Sequence, residues 1–424
     1  MDVKVLGAAG QVGRSGFLAD CDGTRILLDY GVLFGKRGRD PTPPQYPDHV
    51  RPRDVDSIVL THAHLDHSGY IPSMYVSGGS PLYATAPTME LSQILLEDMI
   101  KIDKNAHPFG QTEIDNMMRH TKYLQYKDKV RRGDATIELR ESGHVIGGST
   151  VLVESNKKRL FYTGDIHVGG SRMLREADLD IGEIDLLITE STYSQKNQTP
   201  RVESESKLIE FVHEVMDRKG ILFIPSFSVE RSQEIACILE NAGIDERVIM
   251  DGMALKVNDV MFEHPEFLRD YDAFAKAINH ATEIRSHRDR IKALVGPCIV
   301  ISPAGMLVGG NAVFYLQEIA FDERNGIALV SYQGEGTPGK MLLDTGKVNT
   351  RGKELHVRAK VKQFQFSGHS DRKELFDMIE RIQGDPKVLT VHGDSQSCQM
   401  FAEQIKEKFG FDAHAAEPGE IVSV

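Results

Sequence analysis

The chain has 424 residues, a formal net charge of −12 and a hydrophobic share of 40%. These totals describe a globular protein large enough for two domains, or for one domain with a large insert, and they argue against disordered and membrane-embedded classes. The acidic balance does not exclude a nucleic-acid partner, because a binding groove needs only local positive charge.

The cysteines and the N-terminus indicate the compartment. Cys21, Cys237, Cys298 and Cys398 lie far apart without a CxxC pair, so we expect reduced core thiols and a reducing compartment. The first residues, "MDVKVLGAAGQVG", predict a strand rather than a basic segment followed by an apolar one, and no apolar run reaches the ~20 residues of a membrane helix. We therefore expect a cytoplasmic protein with no membrane association.

Short β-branched runs separated by Gly, Asp and Pro predict strands in the first half of the chain. They are "VKVLG", "RILLDYG", "SIVLTH", "STVLVES", "RLFYTGD" and "DLLITEST". Several of them end in a polar residue, and open α/β sheets place binding chemistry at that edge. The sequence therefore marks Asp29, His62, Asp165 and Glu190 as candidate functional residues.

Helices and strands alternate from about residue 196. The segment "SESKLIEFVHEVMDRKG" predicts a helix that presents one apolar face and is stopped by Gly220. A buried strand, "ILFIPSF", and a helix, "ERSQEIACILENAG", follow, and the strands "RVIMDG", "CIVISPAG" and "IALVSYQGEG" each end in glycine. This alternation predicts a parallel βαβ domain. After "VRAKVKQFQFSGHSD" we expect two further helix and strand units and a terminal strand in "AAEPGEIVSV".

The segment "HAHLDH", residues 62–67, concentrates three imidazoles and a carboxylate directly after a predicted strand. His62 and His64 alternate along an extended turn and can face one point, whereas Asp66 and His67 begin the next turn and face another. Zinc takes imidazole nitrogen and carboxylate oxygen, so this arrangement suits two metal ions side by side. Solvent-exposed loop histidines are the alternative interpretation.

Further ligand-type residues stand just after strands and beside glycine. They are His144 in "ESGHVIGG", Asp165 in "FYTGDIHVGG" and His392 in "LTVHGDS". Each taken separately is typical of a turn residue. Taken together they complete the ligand count of a binuclear site.

These motifs resemble those of the β-CASP nucleases, within the metallo-β-lactamase superfamily, across essentially the whole chain. "LLDYG", "HAHLDH", His144 and Asp165 are similar to the superfamily motifs in order. "ITEST" with Glu190, "SGHSD" with His369 and "VHGD" with His392 are similar to the β-CASP motifs A, B and C. The stretches "LGAAGQVGRSGFLADCDGTRILLDYG", "IPSFSVERSQE" and "YQGEGTPGK" look most like the branch with the nuclease subunit of the cleavage and polyadenylation specificity factor, ribonuclease J being more distant.

The resemblance implies an α/β fold, a metallo-β-lactamase αββα sandwich with an inserted parallel α/β β-CASP domain. We expect the first part of the metallo-β-lactamase domain at residues 1–194, the β-CASP insert at 195–349 and the second part of the metallo-β-lactamase domain at 350–424. Lactamase-type and glyoxalase-type members of the superfamily lack such an insert.

The resemblance also implies two zinc ions per chain. One ion would be held by His62, His64, His144 and Asp165, and the other by Asp66, His67, Asp165 and His392, so that Asp165 bridges them. Two zinc ions roughly 3.5 to 4 Å apart can lower the pKa of a shared water and clamp an in-line displacement at phosphorus. Asp29 would position the His-rich loop from outside the ligand set.

The resemblance implies four catalytic residues. They are the metal ligands Asp66 and Asp165 and the pair formed by His369 and Glu190. His369 would protonate or stabilise the departing 3′ oxygen at neutral pH. Glu190 would orient His369 and hold its proton, as a carboxylate does for a catalytic imidazole.

RNA is the substrate that the resemblance favours, because DNA-processing relatives carry valine where His392 stands. We expect endonucleolytic cleavage of single-stranded RNA, with 5′ to 3′ trimming as an additional activity, and a strictly 5′ to 3′ exoribonuclease is the alternative. A small-molecule hydrolase and a noncatalytic RNA-binding scaffold are less favoured, the scaffold because every expected ligand is present. A homodimer and RNA-processing protein partners are further expectations.

Local basic runs predict a phosphate track for the RNA. The run "RGKELHVRAKVK" contains Arg351, Lys353, Arg358, Lys360 and Lys362 and leads to His369. The run "YKDKVRRGD" adds Lys127, Lys129, Arg131 and Arg132. A phosphate could also be received at the start of a predicted helix, at Gly309, Gly310 and Asn311. Solvated strand faces and a helix-packing turn are the equally weighted alternatives.

Overall fold

The computed structural model describes residues 1–35, 42–102, 106–350 and 353–424. The chain forms two compact units. The first unit comprises Met1–Gly170, Arg175–Asn197 and Gly368–Val424, and the second comprises Ser171–Leu174 and Gln198–Ser367.

The strands of the described residues are numbered along the chain. They are β1 Asp2–Val5, β2 Gly16–Cys21, β3 Thr24–Tyr30, β4 Ser57–Val59, β5 Leu82–Ala84, β6 Thr121–Tyr123, β7 Lys129–Arg132, β8 Ala135–Glu141, β9 Ser149–Ser155, β10 Lys158–Tyr162, β11 Leu186–Glu190, β12 Ile221–Pro225, β13 Val248–Asp251, β14 Thr282–Ile284, β15 Cys298–Ser302, β16 Gly326–Leu329, β17 Lys347–Thr350, β18 Lys353–His356, β19 Lys360–Gln363, β20 Lys387–Val391, β21 Asp412–Ala415 and β22 Ile421–Ser423.

The helices are numbered in the same way. They are α1 Leu65–Ser68, α2 Ala86–Ile102, α3 Gln111–His120, α4 Arg201–Asp217, α5 Arg231–Asn241, α6 Met253–Glu263, α7 Tyr271–His280, α8 His287–Ala293, α9 Gly310–Ile319, α10 Pro338–Thr345, α11 Arg372–Arg381 and α12 Ser395–Phe409. Short 3-10 turns occupy Pro52–Asp54, Ile71–Tyr75 and Pro265–Phe267.

The first unit contains two seven-stranded sheets. One has the order β22-β1-β2-β3-β4-β5-β6 and the other the order β21-β20-β11-β10-β9-β8-β7. Buried side chains of both sheets, among them Phe17, Ile26, Leu160 and Ile188, pack into one core cluster. The sheets therefore face each other across a shared apolar layer, as the two inner layers of a sandwich.

Helices cover the outer faces of these sheets. Side chains of a strand alternate between its two faces, so Leu27 of β3 points away from the core shared by the two sheets. It packs on the outer face in a cluster with Leu96 of α2. Leu187 of β11 packs in the same manner with Phe401 of α12. Burial on both faces explains why these strands read as continuous apolar runs, and the predicted αββα sandwich is confirmed.

The second unit contains a six-stranded parallel sheet with the order β14-β13-β15-β12-β16-β19. Helix α4 buries the predicted apolar face, which consists of Leu208, Phe211, Val212, Val215 and Met216. The Gly220 amide donates a 3.0 Å hydrogen bond to the Val215 carbonyl after the end of this helix. The predicted parallel βαβ domain is confirmed.

The second unit extends past residue 349, which is the predicted last residue of the insert. β19 belongs to it because Val361 pairs in parallel with Ile327 of β16. Residues of the range 350–367 that the structure describes therefore pack with the second unit. The boundaries of 195 and 349 stay a sequence prediction about domains.

The remaining features concern the chain as a whole. The four cysteines are free and buried, as predicted. The predicted terminal strand forms as β22 and pairs antiparallel with β1. Among the described residues, no helix combines the length and apolar character that are needed to cross a membrane.

Candidate metal centre

The His-rich segment lies between β4 and α1. His62 and His64 occupy the connection, and Asp66 and His67 lie in α1 itself. The end of β3 can approach this helix only because residue 31 is glycine, since a Cβ at Gly31 would lie 1.7 Å from the Asp66 carbonyl oxygen. Backbone contact with a core strand thus fixes the segment.

The first group of predicted ligands converges from separate segments. His64 Nδ1 lies 3.1 Å from His62 Nε2 and 3.2 Å from His144 Nε2. Asp165 Oδ2 lies 3.5 Å from His62 Nε2 and 3.6 Å from His144 Nε2. A tetrahedral zinc site with bonds of about 2.0–2.1 Å separates its ligand atoms by roughly 3.4 Å, so this group has the dimensions of such a site.

The second group of predicted ligands converges beside the first. Asp66 Oδ2 lies 3.3 Å from His392 Nε2. Asp165 Oδ1 lies 3.3 Å from both His67 Nε2 and His392 Nδ1. The ligand atoms of each group lie within 4.8 Å of one another, and Asp165 belongs to both groups. Its two carboxylate oxygens face different groups.

Hydrogen bonds to the outer nitrogens aim several imidazoles inward. His144 Nδ1 donates to a backbone carbonyl at 2.6 Å, and His67 Nδ1 donates to Asp29 Oδ2 at 2.7 Å. The Thr61 hydroxyl donates to Asp29 at 2.8 Å, so it accepts from His62 Nδ1 at 3.1 Å. The Nε2 lone pairs of His62, His67 and His144 therefore point toward the ligand groups.

The protonation states suit a cation. Burial lowers the pKa of His62, His64 and His144 below the usual range, and neighbouring histidines lower it further. Burial opposes ionisation of Asp165, but the charges of His392 and His67 hold its pKa well below the usual range. Burial opposes the charged form of His67, but the charges of Asp165 and Asp29 outweigh it and raise its pKa well above the usual range, so a metal would displace a proton from this ring. Neutral imidazoles and an ionised carboxylate are the forms that bind metals.

One oxygen of Asp165 is buried without a hydrogen-bond donor among the described residues. Asp165 Oδ1 is buried and accepts no hydrogen bond from any described residue. A buried ionised oxygen without a donor is unfavourable by ~1–3 kcal/mol or more, and a bound cation would satisfy it. The residues therefore fit the divalent metals that the sequence predicts.

His369 and Glu190 form a pair next to Asp165. His369 Nδ1 lies 3.0 Å from both carboxylate oxygens of Glu190, and Nε2 lies 3.9 Å from Asp165 Oδ2. The Ile166 amide donates to Glu190 Oε1 at 2.8 Å, which fixes the fully buried carboxylate. Burial disfavours the imidazolium, but the charges of Glu190 and Asp165 outweigh it and raise the pKa of His369 to about 9.

Comparisons with known proteins agree with this geometry. Family models match a metallo-beta-lactamase superfamily domain at residues 18–192, a Beta-Casp domain at 232–342 and a Zn-dependent metallo-hydrolase RNA specificity domain at 354–416. The chain is 33% identical over 436 residues to the "Probable RNase MJ4" of Methanocaldococcus jannaschii, with both chains fully covered. The chain belongs to the β-CASP family of the metallo-β-lactamase superfamily.

Other relatives of this β-CASP protein carry related names. The "RNase aCSPSF2" of Saccharolobus solfataricus is 31% identical over 425 residues, which are 100% of this chain and 85% of that one. The "Transcription termination factor FttA" of Pyrococcus abyssi is 32% identical over 455 residues, covering 97% of this chain and 70% of that protein. The family and the relatives named as RNases show that the β-CASP protein is a metal-dependent hydrolase.

A solved structure has the same fold. The crystal structure of a protein of unknown function from Enterococcus faecalis superposes with a TM-score of 0.66 at 16% identity, over 100% of this chain and 99% of that one. At this identity the likeness concerns the fold alone.

Asp29 lies where the sequence predicts it, outside the ligand groups, and its partners were not predicted. It accepts hydrogen bonds from the Thr61 amide and hydroxyl and from the Tyr162 hydroxyl, all at 2.8 Å, in addition to the bond from His67. Thr61 precedes the His-rich segment, so its position was a usable signal. Tyr162 ends a strand far along the chain and gave no local signal.

The residues of the first basic run and of the α9 N-terminus that the structure describes lie in the second unit of the β-CASP protein. Arg358 pairs with Glu323, whereas Lys360 and Lys362 both pair with Glu214. Arg351 lies outside the described residues, and Lys353 begins β18. Gly309, Gly310 and Asn311 stand at the N-terminus of α9. RNA contact by these residues stays a prediction.

The second basic run lies in the first unit. Lys127 pairs with Asp178 and Lys129 with Glu138, while Arg131 and Arg132 donate to backbone carbonyls. These contacts neutralise part of the run, so its role in binding phosphate also stays a prediction.

Proposed function

We propose that this β-CASP protein is a zinc-dependent ribonuclease that hydrolyses phosphodiester bonds of single-stranded RNA. The observation that carries the proposal is the sharing of Asp165 between two imidazole-rich ligand groups. Two RNase-named relatives that span the whole chain support RNA as the substrate. The match of an RNA specificity domain to residues 354–416 supports it further.

Zinc is the metal that we propose for both groups. The imidazole and carboxylate donor set and the ligand separations of 3.1–3.6 Å in the first group favour it. When bound, two zinc ions supply the charge that activates a water molecule and neutralises negative charge developing at phosphorus.

The protein's own residues would manage the protons and the geometry. His62, His64, His67, His144 and His392 would bind as neutral imidazoles, with Asp66 and Asp165 as carboxylate ligands. Asp29 would keep His67 in the tautomer whose Nε2 faces the ligand group, because it accepts the Nδ1 proton.

His369 would act as the general acid. Glu190 holds the Nδ1 proton, and Nε2, 3.9 Å from Asp165 Oδ2, would present the second proton of the protonated ring toward the reacting group. Protonation of the departing 3′ oxygen lowers the barrier to its release. Glu190 favours the imidazolium that this step requires.

The mode of cleavage that we propose is endonucleolytic, with 5′ to 3′ trimming as an additional activity. A strictly 5′ to 3′ exoribonuclease is the alternative. A circular RNA and linear RNAs with a 5′-monophosphate or 5′-triphosphate separate the two modes. An uncut circle beside a degraded monophosphate substrate would refute the endonuclease.

A single assay tests the proposed activity. The purified protein is analysed for metal and incubated with labelled single-stranded RNA, with and without a chelator. We expect about two zinc ions per chain by analogy with two-metal hydrolases, and cleavage that the chelator abolishes and added zinc restores. Ester or thioester turnover without RNA cleavage would favour a small-molecule hydrolase, and full-length protein without metal would favour a scaffold.

A further inference from the structure

Two exposed aromatic side chains stand at one edge of the parallel sheet in the second unit. Phe227 follows the end of β12 and is 38% exposed, and Tyr332 follows the end of β16 and is 58% exposed. β12 and β16 are neighbouring parallel strands. Because such strands end at the same edge, the two aromatic-bearing loops lie side by side.

Hydrogen bonds from buried side chains hold the backbone of both loops. The Phe227 carbonyl accepts hydrogen bonds from the Ser232 amide at 3.1 Å and the Ser232 hydroxyl at 2.7 Å, and Ser232 is fully buried. The Gln333 side-chain amide donates to the carbonyls of Gly305 at 3.0 Å and Ser331 at 2.9 Å. The exposed rings thus project from backbone whose carbonyls are already hydrogen-bonded within the protein, and such preorganisation favours binding.

The loop after β15 joins the two aromatic loops. A Cβ at Gly305 would lie 2.8 Å from Ser331 Oγ and 3.2 Å from Phe227 N, so this residue touches both. Non-glycine residues adopt left-handed backbone in this region, with φ of 70° at Glu230 and 60° at Leu307. Such strained conformations cluster at ligand-binding sites.

The loop after β15 also lines a cleft of about 240 Å³ that contains no charged side chain. It is lined by Leu307, Val308, Gly309, Gly310, Val313, Pro338 and Asn349. Aliphatic side chains, backbone and the Asn349 amide, with no cation among them, suit an uncharged base better than a phosphate.

We propose that Phe227 and Tyr332 form a base-stacking platform for unpaired nucleotides of RNA. The inference rests on the proposed function for its choice of ligand, since single-stranded RNA is the proposed substrate. Aromatic side chains stack on any exposed base but cannot reach bases paired within a duplex. The platform would therefore let the second unit select single strands while the first unit carries the hydrolytic chemistry.

A tryptophan reporter tests the platform directly, because the chain contains no tryptophan. Phe227→Trp and Tyr332→Trp each introduce a single indole, and metal-loaded protein is mixed with oligouridine in a stopped-flow fluorimeter. We expect saturable quenching on binding and none with a fully paired RNA duplex. Equal or absent quenching with both RNAs would overturn the proposal.

Phe321 supplies a matched control on the same unit. It is 56% exposed and follows α9, near Asn325, whose side chain accepts from the Ile221 amide at the start of β12. It therefore lies at the opposite edge of the sheet. We expect no quenching in Phe321→Trp and unchanged RNA cleavage in Phe321→Ala.

Truncation of the rings provides the second measurement. Phe227→Ala and Tyr332→Ala should each raise the KM for single-stranded RNA about 10-fold, with a smaller change in kcat. Tyr332→Phe keeps the aromatic ring and should therefore keep the wild-type KM. An unchanged KM in both alanine variants would overturn the proposal. A change in the molecular mass of either alanine variant in solution, relative to wild type, would also overturn it, because the rings would then belong to a contact with a second copy of the chain.

The readouts separate this proposal from the proposed function. Quenching by single-stranded RNA without any cleavage would refute the ribonuclease and support the stacking platform. Cleavage without quenching and with normal KM in the alanine variants would do the reverse.

Discussion

Asp29 and His67 share a hydrogen bond of 2.7 Å between Oδ2 and Nδ1, and both side chains are buried. This bond fixes the tautomer of a proposed ligand from outside the ligand groups. We expect Asp29→Ala to lower zinc affinity by about 10- to 100-fold and stability by ~1–3 kcal/mol, because donors of His67, Thr61 and Tyr162 lose their acceptor. Zinc titration and chemical denaturation measure the two effects.

Asp20→Asn is the control for Asp29, since Asp20 pairs with Arg25 at the surface of the same sheet. It should leave zinc affinity unchanged. Wild-type zinc affinity in Asp29→Ala would show that the carboxylate has no positioning role.

Asp165→Asn should lose most bound zinc from both groups. The substitution keeps the side-chain volume but removes the charge that both groups share, and an amide is a poor bridging ligand. Elemental analysis of the purified variant measures the loss. The matched control is Asp185→Asn, because Asp185 is ion-paired with Lys158 and belongs to neither group. A full zinc complement in Asp165→Asn would refute the bridging assignment.

His369→Ala should keep both metals and lose most turnover. His369 belongs to neither of the two proposed zinc groups, and loss of a general acid typically slows a reaction by about 10²- to 10⁴-fold. Single-turnover cleavage at saturating RNA measures the effect. His414→Ala is the control, because His414 forms the same type of pair with Glu420 in the same unit. Equal kcat in wild type and His369→Ala would remove His369 from the mechanism.

The convergence of His144, Asp165 and His392 with the His-rich segment could be predicted from sequence, because the same local features mark these three residues. His144, Asp165 and His392 each follow a strand and stand beside glycine, and strand ends converge at one edge of a sheet. Tyr162 could not be predicted, because its bond to Asp29 joins residues 133 positions apart. The pairing of β19 with β16 could not be predicted for a different reason, since "VRAKVK" has the composition of a basic run rather than of a buried parallel strand.

Removal of metal should destabilise the first unit selectively. A ligand that binds only the folded state at about 100 times its Kd adds ~2.7 kcal/mol, so chelation should lower the melting midpoint of this unit by about 5 °C or more. The second unit holds none of the proposed ligands among its described residues and should melt unchanged. Calorimetry with chelator and with added zinc measures both transitions. An Asp165→Asn sample should show no zinc-dependent shift, and a wild-type midpoint insensitive to chelation would contradict structural metal binding.

The pH dependence of cleavage should move when Glu190 loses its charge. Burial lowers the pKa of His369, whereas the charges of Glu190 and Asp165 raise it, and the raising effects prevail. A general acid works while protonated, so activity is retained below the pKa of His369 and lost as the pH rises through it.

Glu190→Gln removes one charge that raises the pKa of His369 but keeps an acceptor for the Ile166 amide, so the alkaline limb should shift to lower pH. The measurement is a kcat profile against pH, with Glu138→Gln as the control because Glu138 is a buried carboxylate that pairs with Arg140 and belongs to none of the ligand groups. An alkaline limb that stays in place, or that shifts equally in both variants, would show that Glu190 does not set the protonation of His369.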